Sequence, residues 1–447
     1  MYFIYSVLLG LGFLLLLPKF LLDAFRYGKY ISGLRERLGV LEKLDNDGRP
    51  VVWLHCVSVG EVQAARPLFQ AIRQDFPDYA IAVSTVTVTG QQLARQVFEN
   101  EAERIFYFPI DWRWTVQRSL NAINPSVVLI METELWPGFL RECRRRSVPA
   151  AIVNGRLSEK SFRRYKLIPS FVSKVVNCLD LAVMQADADA DRIQALGLPR
   201  ELVLVSGNMK FDAGQIDKTN SVTEELATRF QLRDGPILLA ASTHDPEEQI
   251  VLEAFYQLRA TQATKNLRLI IAPRHPERFA AVASLLNASK FAVVRRSDQP
   301  GANDSNSDIM LLDTIGELRS VFPLASLVFV GGSIAPVGGH NILEPAAAGT
   351  CIVTGAHTEN FDEIVRTFAA QKAIIQLGHI RNGDAAIVLA SVLASLLHDG
   401  QQRLDLGARA KALVEENRGA TARTMQVLKP MLKAATKAQM PSDSHQR

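Results

Sequence analysis

Apolar runs rich in β-branched residues alternate with longer helical patterns along most of the chain, and this alternation limits the folds that the chain can adopt. VVWLHCV at 51–57 has the composition of a buried strand. The segment that follows, 61–76, places Ala65, Leu68 and Phe69 on one helical face. Strands that alternate with helices form parallel sheets covered by helices on both faces. We therefore predict an α/β protein.

The pattern occurs as two sets of strands, separated by a polar stretch between Asp212 and Asp234. A length of 447 residues suits two such units, each with its own core. We predict two Rossmann-like domains facing a central cleft, with ligands at the carboxyl ends of the strands. The predicted strands lie at 51–57, 80–86, 104–110, 126–131, 150–155, 181–186 and 202–208, and then at 236–243, 267–273, 291–296, 308–313, 326–332 and 350–355.

Residues 1–22 are predicted to form a membrane anchor. The segment from Tyr2 to Leu17 carries no charge, although a spanning helix needs about 20 apolar residues. A cleaved signal peptide is the alternative, but no basic region precedes this run and no clear small-x-small site follows it. Basic residues follow the run, which by the positive-inside rule places the rest of the chain on the cytoplasmic side. They are Lys19, Arg26, Lys29, Arg35 and Arg37.

Composition excludes several classes of protein. With 48% hydrophobic and 21% charged residues the chain is globular, although the terminus at 431–447 is expected to be disordered. The net charge of +4 comes with no nucleic-acid-binding motif, so no nucleic-acid partner is expected. No histidine or cysteine spacing is that of a metal site, so no protein-held metal is expected. The four cysteines are interpreted as small core residues: Cys56, Cys143, Cys178 and Cys351.

The loop HCVSVGEV, residues 55–62, is the first candidate site. Glu61 would stand in the first turn of a helix, where the helix dipole stabilises a carboxylate as the anion. A helix-capping acid and a catalytic acid are both compatible with this position. The location of the loop after the first strand, where it would open onto the cleft, favours catalysis.

The loop METELWPG, residues 131–138, places Glu132 and Glu134 after an apolar strand, and period-two alternation would point both to the same side. Paired acids suit proton transfer or the binding of sugar hydroxyls, and a helix-start charge pair is the alternative.

In GNMKFD, residues 207–212, Lys210 would project toward the cleft and meet the negative charge of a leaving phosphate. An ordinary exposed lysine is the alternative there.

The loop VGGSIAPVGGHNILEPAAAG, residues 330–349, carries the strongest chemical signal. Its glycines would let the backbone approach a ligand, and Asn341 would open a helix whose free N–H groups suit a phosphate. Glu344 could accept hydrogen bonds from both ribose hydroxyls. The spacing is neither a dinucleotide fingerprint nor a P-loop, and a tight structural turn is the alternative. The four loop glycines are Gly331, Gly332, Gly338 and Gly339.

Three other loops of the second domain are expected to face the same spot, at 241–248, 273–279 and 313–318. Arg274 is the natural phosphate partner, because its guanidinium fork matches phosphate oxygens. Three histidines in this region are interpreted as hydrogen-bonded structural residues: His244, His275 and His340.

Basic residues concentrate beside aromatic and aliphatic ones at 141–147 and 155–172 of the first domain. A solvated face is one interpretation. In a domain tethered to a bilayer, such a surface also fits an anionic lipid substrate or the anionic leaflet.

Together these motifs resemble those of the bacterial Kdo transferases, which add 3-deoxy-D-manno-octulosonic acid (Kdo) to lipid A precursor in lipopolysaccharide synthesis. The resemblance runs from the N-terminal segment to about residue 425, and several motifs in one order are far more specific than any one alone. Family members more often carry Asn where Gly138 stands. The motifs are HCVSVGE, ETELWPG, NGRLSEKSFRRY, GNMKFD, ASTHDPEE, PRHPERF, DTIGEL, GGHNILEP and ENF.

The resemblance implies a GT-B glycosyltransferase with an acceptor domain at 35–212 and a CMP-Kdo-binding domain at 213–430. It implies inversion at the anomeric carbon without a metal or other cofactor, with Glu61 as general base and with Glu132 and Lys210 supporting the transition state. The implied acceptor is lipid IVA, an anionic lipid at the inner membrane. The implied CMP-binding residues are Pro273, Arg274, Ile315, Gly316, Glu317, Asn341, Ile342, Leu343 and Glu344.

Two alternatives stay open at this point. Another GT-B enzyme that uses a UDP-sugar, either a transferase or a 2-epimerase, would share the two-domain cleft, but would not need HCVSVGE together with ETELWP, or an anchor. A membrane-tethered sugar-nucleotide binding protein would use the same two-domain clamp, and would saturate with CMP-Kdo without forming product.

Overall fold

The structure is a computed structural model that describes residues 2, 5–7, 9–12, 15, 33–214, 221–381 and 383–439. The chain divides into two units, of which the first comprises 1–213 and 418–447 and the second 214–417. Each unit contains a seven-stranded parallel sheet. The α/β class predicted from the alternating pattern is therefore confirmed.

The sheet of the first unit has the strand order β3-β2-β1-β4-β5-β6-β7. Its central strand β1 sends Val51 and Trp53 into one apolar cluster and Val52 and Leu54 into another. Alternate residues of a strand face opposite sides, so these two clusters are the cores on the two faces of the sheet. The strands are β1 (Val51–His55), β2 (Ala80–Thr85), β3 (Arg104–Tyr107), β4 (Val127–Met131), β5 (Ala150–Gly155), β6 (Leu181–Met184) and β7 (Val203–Val205).

Helices cover both faces of this sheet, because its strands carry apolar side chains on both faces and these must be buried. The α-helices are Leu34–Arg37, Val59–Asp75, Val88–Phe98, Arg113–Ile123, Pro137–Arg145, Glu159–Tyr165, Pro169–Val176, Asp187–Ala195 and Ala420–Gln439, and the 3₁₀ helices are Arg200–Leu202 and Met209–Gly214.

The last helix, Ala420–Gln439, belongs to the first unit, although it follows the second in sequence. Met425, Leu428 and Leu432 are buried in the same core as Val52. The expected range 213–430 for the second domain is therefore wrong at its end, because the chain returns to the first unit at Arg418. The expected disordered tail at 431–447 is helical through Gln439, and 440–447 lie outside the described residues.

The sheet of the second unit has the order β10-β11-β9-β8-β12-β13-β14. Six of its strands lie within predicted strands, whereas the two-residue β14 was missed because it is too short to show a pattern. The strands are β8 (Ile237–Thr243), β9 (Arg268–Pro273), β10 (Val293–Arg295), β11 (Ile309–Leu311), β12 (Leu327–Val330), β13 (Cys351–Thr354) and β14 (Ile375–Gln376).

Helices pack on these strands. Two of them bury apolar side chains in one cluster with residues of β8 and β9, and these side chains are Val251, Phe255, Leu389 and Leu393. The α-helices are Ser221–Arg229, Glu247–Arg259, Phe279–Asn287, Leu318–Val321, Leu343–Ala348, Asp362–Ala370, Ala385–His398 and Gly400–Asn417, and the 3₁₀ helices are Gln262–Thr264, Pro276–Arg278 and Phe322–Leu324.

Each sheet reverses its strand order once near its middle, between β1 and β4 in the first unit and between β8 and β12 in the second. Ligands of open parallel sheets bind at such a switch point, beyond the carboxyl ends of the strands. The loops after these four strands are therefore where chemistry is expected. They contain Glu61, Glu132, Glu247 and the glycine-rich segment 330–349.

Most of the predicted anchor, residues 1–22, lies outside the described residues. Within the part of the chain that the structure describes, no helix has the length and apolar character needed to cross a membrane. Tyr5 lies against the first unit, where its hydroxyl donates to Asp111 Oδ2 (2.9 Å) and its ring is 5.9 Å from that of Phe171.

Candidate active site

Glu61 stands at the switch point of the first unit, in the first turn of helix Val59–Asp75, as predicted. Its carboxylate accepts the Val57 N–H (2.7 Å) and the Ser58 hydroxyl (3.0 Å), so it closes the start of its own helix. The side chain is only 5% exposed. The capping contact is thus present, but it holds a buried carboxyl at a place where ligands of this fold bind.

Burial, together with repulsion from Glu132 and Glu134, raises the pKa of Glu61 to about 8. The Val57 N–H and the Ser58 hydroxyl oppose this shift without cancelling it. The expectation that the helix start keeps Glu61 as an anion is therefore wrong, because desolvation outweighs the helix dipole here. The raised pKa favours the protonated form of Glu61 at neutral pH.

Glu132 lies beyond the end of β4 and pairs with Lys210, whose Nζ is 3.1 Å from Glu132 Oε1. Its backbone is left-handed, with φ 55°, and its N–H donates to Val153 O (3.0 Å). A non-glycine residue in this region is strained and is common at functional sites. The direction of the Glu132 side chain is therefore set by this turn. The predicted strand alternation does not set it, because β4 ends at Met131.

Glu134 completes a cluster of three acids. Burial and the charge of Glu132 raise the pKa of Glu134 to about 7. Lys210, in the 3₁₀ helix Met209–Gly214, is three-quarters buried and paired, and so is not an ordinary exposed lysine. The structure thus brings Glu61, Glu132, Glu134 and Lys210 together in the first unit.

Glu247 occupies the switch point of the second unit, and sequence reasoning missed it. The side chain is fully buried, and its carboxylate accepts five backbone N–H groups at 2.7–3.1 Å. Burial raises the pKa of Glu247, and these N–H groups oppose the shift. The available signal was an acid pair at a helix start in ASTHDPEE. The donors are His244, Gly332, Ser333, Ile334 and Ala335.

The first half of the glycine-rich loop therefore binds a side chain of its own unit. A Cβ on Gly331 would lie 2.8 Å from Glu247 Oε2, and Gly332 has φ 66°. The backbone at 332–335 thus meets a carboxylate of its own unit where close approach to a ligand was predicted, and the structural-turn alternative accounts for these two glycines.

The second half of the loop also differs from the prediction. The helix begins at Leu343 and has six residues, and Asn341 Oδ1 accepts the Leu343 N–H (3.0 Å). Asn341 therefore precedes the helix, and its side chain takes one of the N–H groups expected to be free. Glu344 accepts hydrogen bonds from Arg319 at 2.8 and 3.0 Å.

The residues implied for CMP binding gather at the carboxyl edge of the second sheet, but they offer different groups. The Arg319–Glu344 pair links the helix Leu318–Val321, which directly follows the segment 315–317, to the segment 341–344. Pro273, Ile342 and Leu343 have buried side chains, so only their backbone is available to a ligand. Arg274 and Gly316 are exposed, Ile315 is 81% exposed, and Glu317 is paired with Arg296 (2.9 Å).

Three histidines from three loops meet beside Arg274. His244 Nε2 and His340 Nε2 are 2.8 Å apart, and the His275 ring stands edge-on to that of His244 at 5.0 Å. Burial lowers the pKa of His340 to about 3 and lowers that of His244. His244 and His340 are thus neutral, hydrogen-bonded residues that join β8 to the glycine-rich loop, as the sequence interpretation has them.

In the described ranges, no group of three or more His, Cys, Asp or Glu side chains could hold a metal ion. Metal independence itself stays a prediction. The four cysteines are free and buried, as predicted.

Similarity to known proteins agrees with this geometry. A family model described as 3-deoxy-D-manno-octulosonic-acid transferase (kdotransferase) matches residues 32–213. A 3-deoxy-D-manno-octulosonic acid transferase of Haemophilus influenzae is 35% identical over 404 residues, which cover 90% of this chain and 92% of the relative. Both findings concern the same kind of enzyme.

Two solved structures resemble the whole fold. A putative UDP-N-acetylglucosamine 2-epimerase of Listeria monocytogenes matches with a TM-score of 0.52 and 14% identity, over 86% of this chain and 97% of its own. The MurG of Acinetobacter baumannii matches with a TM-score of 0.52 and 11% identity, over 85% of this chain and 99% of its own. At these identities the likeness concerns the fold alone.

Two doubly wound parallel-sheet units in one chain resemble the architecture of GT-B glycosyltransferases, and the first unit also contains a cluster of three acids. The sequence identity to the Haemophilus enzyme then makes the assignment specific. The chain belongs to the 3-deoxy-D-manno-octulosonic acid transferase family.

Proposed function

We propose that this protein transfers Kdo from CMP-Kdo to lipid IVA, a phosphorylated lipid A precursor, and releases CMP, with inversion and without a metal. Membership of the Kdo transferase family carries the proposal. We place the reaction at the cytoplasmic face of the inner membrane, with residues 1–22 as the anchor.

In this mechanism Glu61 is the general base. Its carboxylate takes the proton of the acceptor hydroxyl while that oxygen attacks the anomeric carbon of Kdo, and the bond from this carbon to the CMP phosphate oxygen breaks. Support comes from the burial of Glu61 and its raised pKa, because a stronger base near the operating pH transfers protons efficiently. The Glu132–Lys210 pair supplies fixed charges that support the transition state.

The second unit binds the donor in this proposal. The exposed guanidinium of Arg274 contacts the phosphate of CMP, and Glu344 accepts hydrogen bonds from the ribose hydroxyls. Arg319 already holds Glu344 Oε1, which fixes the carboxylate, and among the described residues no donor binds Glu344 Oε2, which is the oxygen proposed to accept from ribose. The backbone at 315–317 and at Asn341 contributes the remaining contacts.

Mass spectrometry of the lipid product tests the proposal. The detergent-solubilised protein is incubated with CMP-Kdo and tetraacylated lipid A precursor in the presence of EDTA. We expect a gain of one or more Kdo units together with release of CMP. An unchanged lipid, with folded and CMP-binding protein, would instead support a binding protein, and restoration by added metal would contradict metal independence.

The pH dependence of transfer follows from the acid cluster. The base is active only when ionised, so kcat/KM is expected to rise about tenfold per pH unit and to level off above about pH 8. We call this rising part of the pH profile the pH limb. Glu132→Gln removes a repelling charge and lowers the pKa of Glu61, so it should move the pH limb to lower pH while kcat falls. Initial rates across about pH 6 to 10 measure both effects. A limb at the same pH in the variant would contradict the coupling.

Membrane binding is proposed to involve the first unit as well as its N-terminus. Leu167 and Ile168 are 80% and 52% exposed, beside the basic residues of 155–172. The adjacent Phe171 contacts Tyr5, which places this surface next to the N-terminal segment. Exposed apolar side chains flanked by cations are typical of a surface that inserts into an anionic leaflet.

Replacing Leu167 and Ile168 by serine is therefore expected to weaken binding to vesicles containing anionic phospholipid by about tenfold or more, since two apolar side chains no longer leave water. Sedimentation with vesicles measures the bound fraction. Leu404→Ser in the second unit, 68% exposed, is the matched control and should bind like the unmodified protein. Equal loss in the control would contradict a localised surface.

A further inference from the structure

Asn154 stands out among the buried polar residues because its conformation and its contacts both concern the acid cluster. It lies near the end of β5, is fully buried, and has a left-handed backbone with φ 53°. The pairing of β5 with β6 changes register between Ile152 and Gly155, so a bulge or irregularity spans Val153 and Asn154. Bulges next to sites re-aim side chains, and left-handed strain persists only where the surroundings hold it.

The Asn154 side chain holds the segment that carries Lys210. Its Oδ1 accepts the N–H of the fully buried Met209 (2.9 Å), the first residue of the 3₁₀ helix. Asn208 Oδ1 accepts the Lys210 N–H (2.9 Å), so the N–H of Lys210 and the N–H of the residue before it are both held by side chains. The Asn154 carbonyl is in turn held by Gln185 Nε2 (2.9 Å).

The neighbouring residue on β5 holds the other member of the pair. Val153 O accepts the N–H of Glu132, whose backbone is also left-handed. The strand end Val153–Asn154 therefore fixes both Glu132 and the segment of Lys210, and these two side chains meet at 3.1 Å. A change at Asn154 reaches Glu61 through this pair, because Glu132 repels Glu61.

We infer that Asn154 is a positioning residue that sets the Lys210–Glu132 contact beside Glu61. The inference rests on the proposed transferase function and deepens it. Without the Asn154 amide, the segment at Met209 loses its buried acceptor and Lys210 neutralises Glu132 less. Glu132 then repels the carboxylate of Glu61 more strongly, and the last proton of the acid cluster is lost at higher pH.

Asn154→Gly tests the inference, because glycine accepts the left-handed backbone and removes only the side chain. We expect kcat to fall about tenfold or more, the KM for CMP-Kdo to stay within about twofold, and the pH limb to move upward by about half a unit or more. Lys210→Ala should move the limb in the same direction, and the double variant should go little further, since both substitutions remove one contact. A purely structural asparagine would leave the limb in place.

The matched control is Asn124→Gly, which makes the same substitution at an exposed residue with φ 47° at the end of helix Arg113–Ile123. Its kcat and pH limb should equal those of the unmodified protein. If Asn154→Gly does not fold, Asn154→Asp carries the test, because it keeps the acceptor for Met209 and tolerates the backbone. Its carboxylate would add a negative charge next to the segment that carries Lys210, so the limb should again move upward.

Coincident pH limbs for the unmodified protein and the folded Asn154 variant would overturn the inference and leave the proposed function intact. Absence of Kdo transfer by the unmodified protein would overturn the proposed function itself. The unmodified protein is therefore assayed first. Its activity tests the proposed function, and the pH profile of the Asn154 variant tests the inference.

Discussion

Glu61→Gln is expected to reduce Kdo transfer about a thousandfold while the protein still folds and binds CMP. The amide keeps the size of the side chain and can keep one of the contacts to Val57 and Ser58, but it takes no proton at any pH. Loss of a general base typically costs two to four orders of magnitude in rate. Single-turnover kinetics at saturating CMP-Kdo measure the chemical step without substrate binding.

Glu134→Gln is the matched control, because Glu134 is a second acid of the same cluster with a raised pKa. We expect it to retain transfer within about tenfold and to shift the pH limb downward, since one repelling charge is removed. If Glu134→Gln abolished transfer and Glu61→Gln did not, the role of base would pass to Glu134. Thermal melting of both variants checks that neither loss reflects unfolding.

Glu247→Ala is expected to destabilise the second unit by about 3 kcal/mol or more, because five backbone N–H groups lose their acceptor in a buried place. These bonds hold half of the glycine-rich loop, so the loss of stability should be accompanied by weaker binding of CMP. Calorimetry of the full chain, in which two units can unfold separately, measures the transition of the second unit.

The control for Glu247 is Glu253→Gln, an exposed substitution in the same helix, which should change stability by no more than about 0.5 kcal/mol. A stable, CMP-binding Glu247→Ala protein would show that the loop keeps its shape without the carboxylate. The rigid acid inside the loop would then be dispensable.

Local patterns predicted the parts of this protein that local forces decide. The strand at 150–155 has both ends as predicted, because an apolar run bounded by polar residues specifies a buried strand. Glu61 was placed in the first turn of its helix for a similar reason. Its raised pKa was not foreseen, since Glu132 and Glu134 are more than 70 residues away in the sequence and meet it only in the fold.

Features that depend on several loops were not predictable from periodicity. The glycine-rich loop was expected to bind a ligand, but its N–H groups meet Glu247 from a loop some 85 residues earlier. The left-handed backbones of Glu132 and Asn154 leave no trace in an apolar pattern. The amphipathic pattern of a helix does not specify which sheet the helix covers, and so the part of Ala420–Gln439 up to residue 430 was assigned to the second domain.

That last helix has a consequence for how the protein is made. A ribosome releases the strands of the first unit early, yet Met425, Leu428 and Leu432, which fill one face of its core, emerge after the whole second unit. Domains usually fold in the order of their synthesis. Here the second unit is synthesised first, and the apolar face around Val52 and Leu54, on which helices Val59–Asp75 and Val88–Phe98 already pack, stays incompletely covered until Ala420–Gln439 has been made.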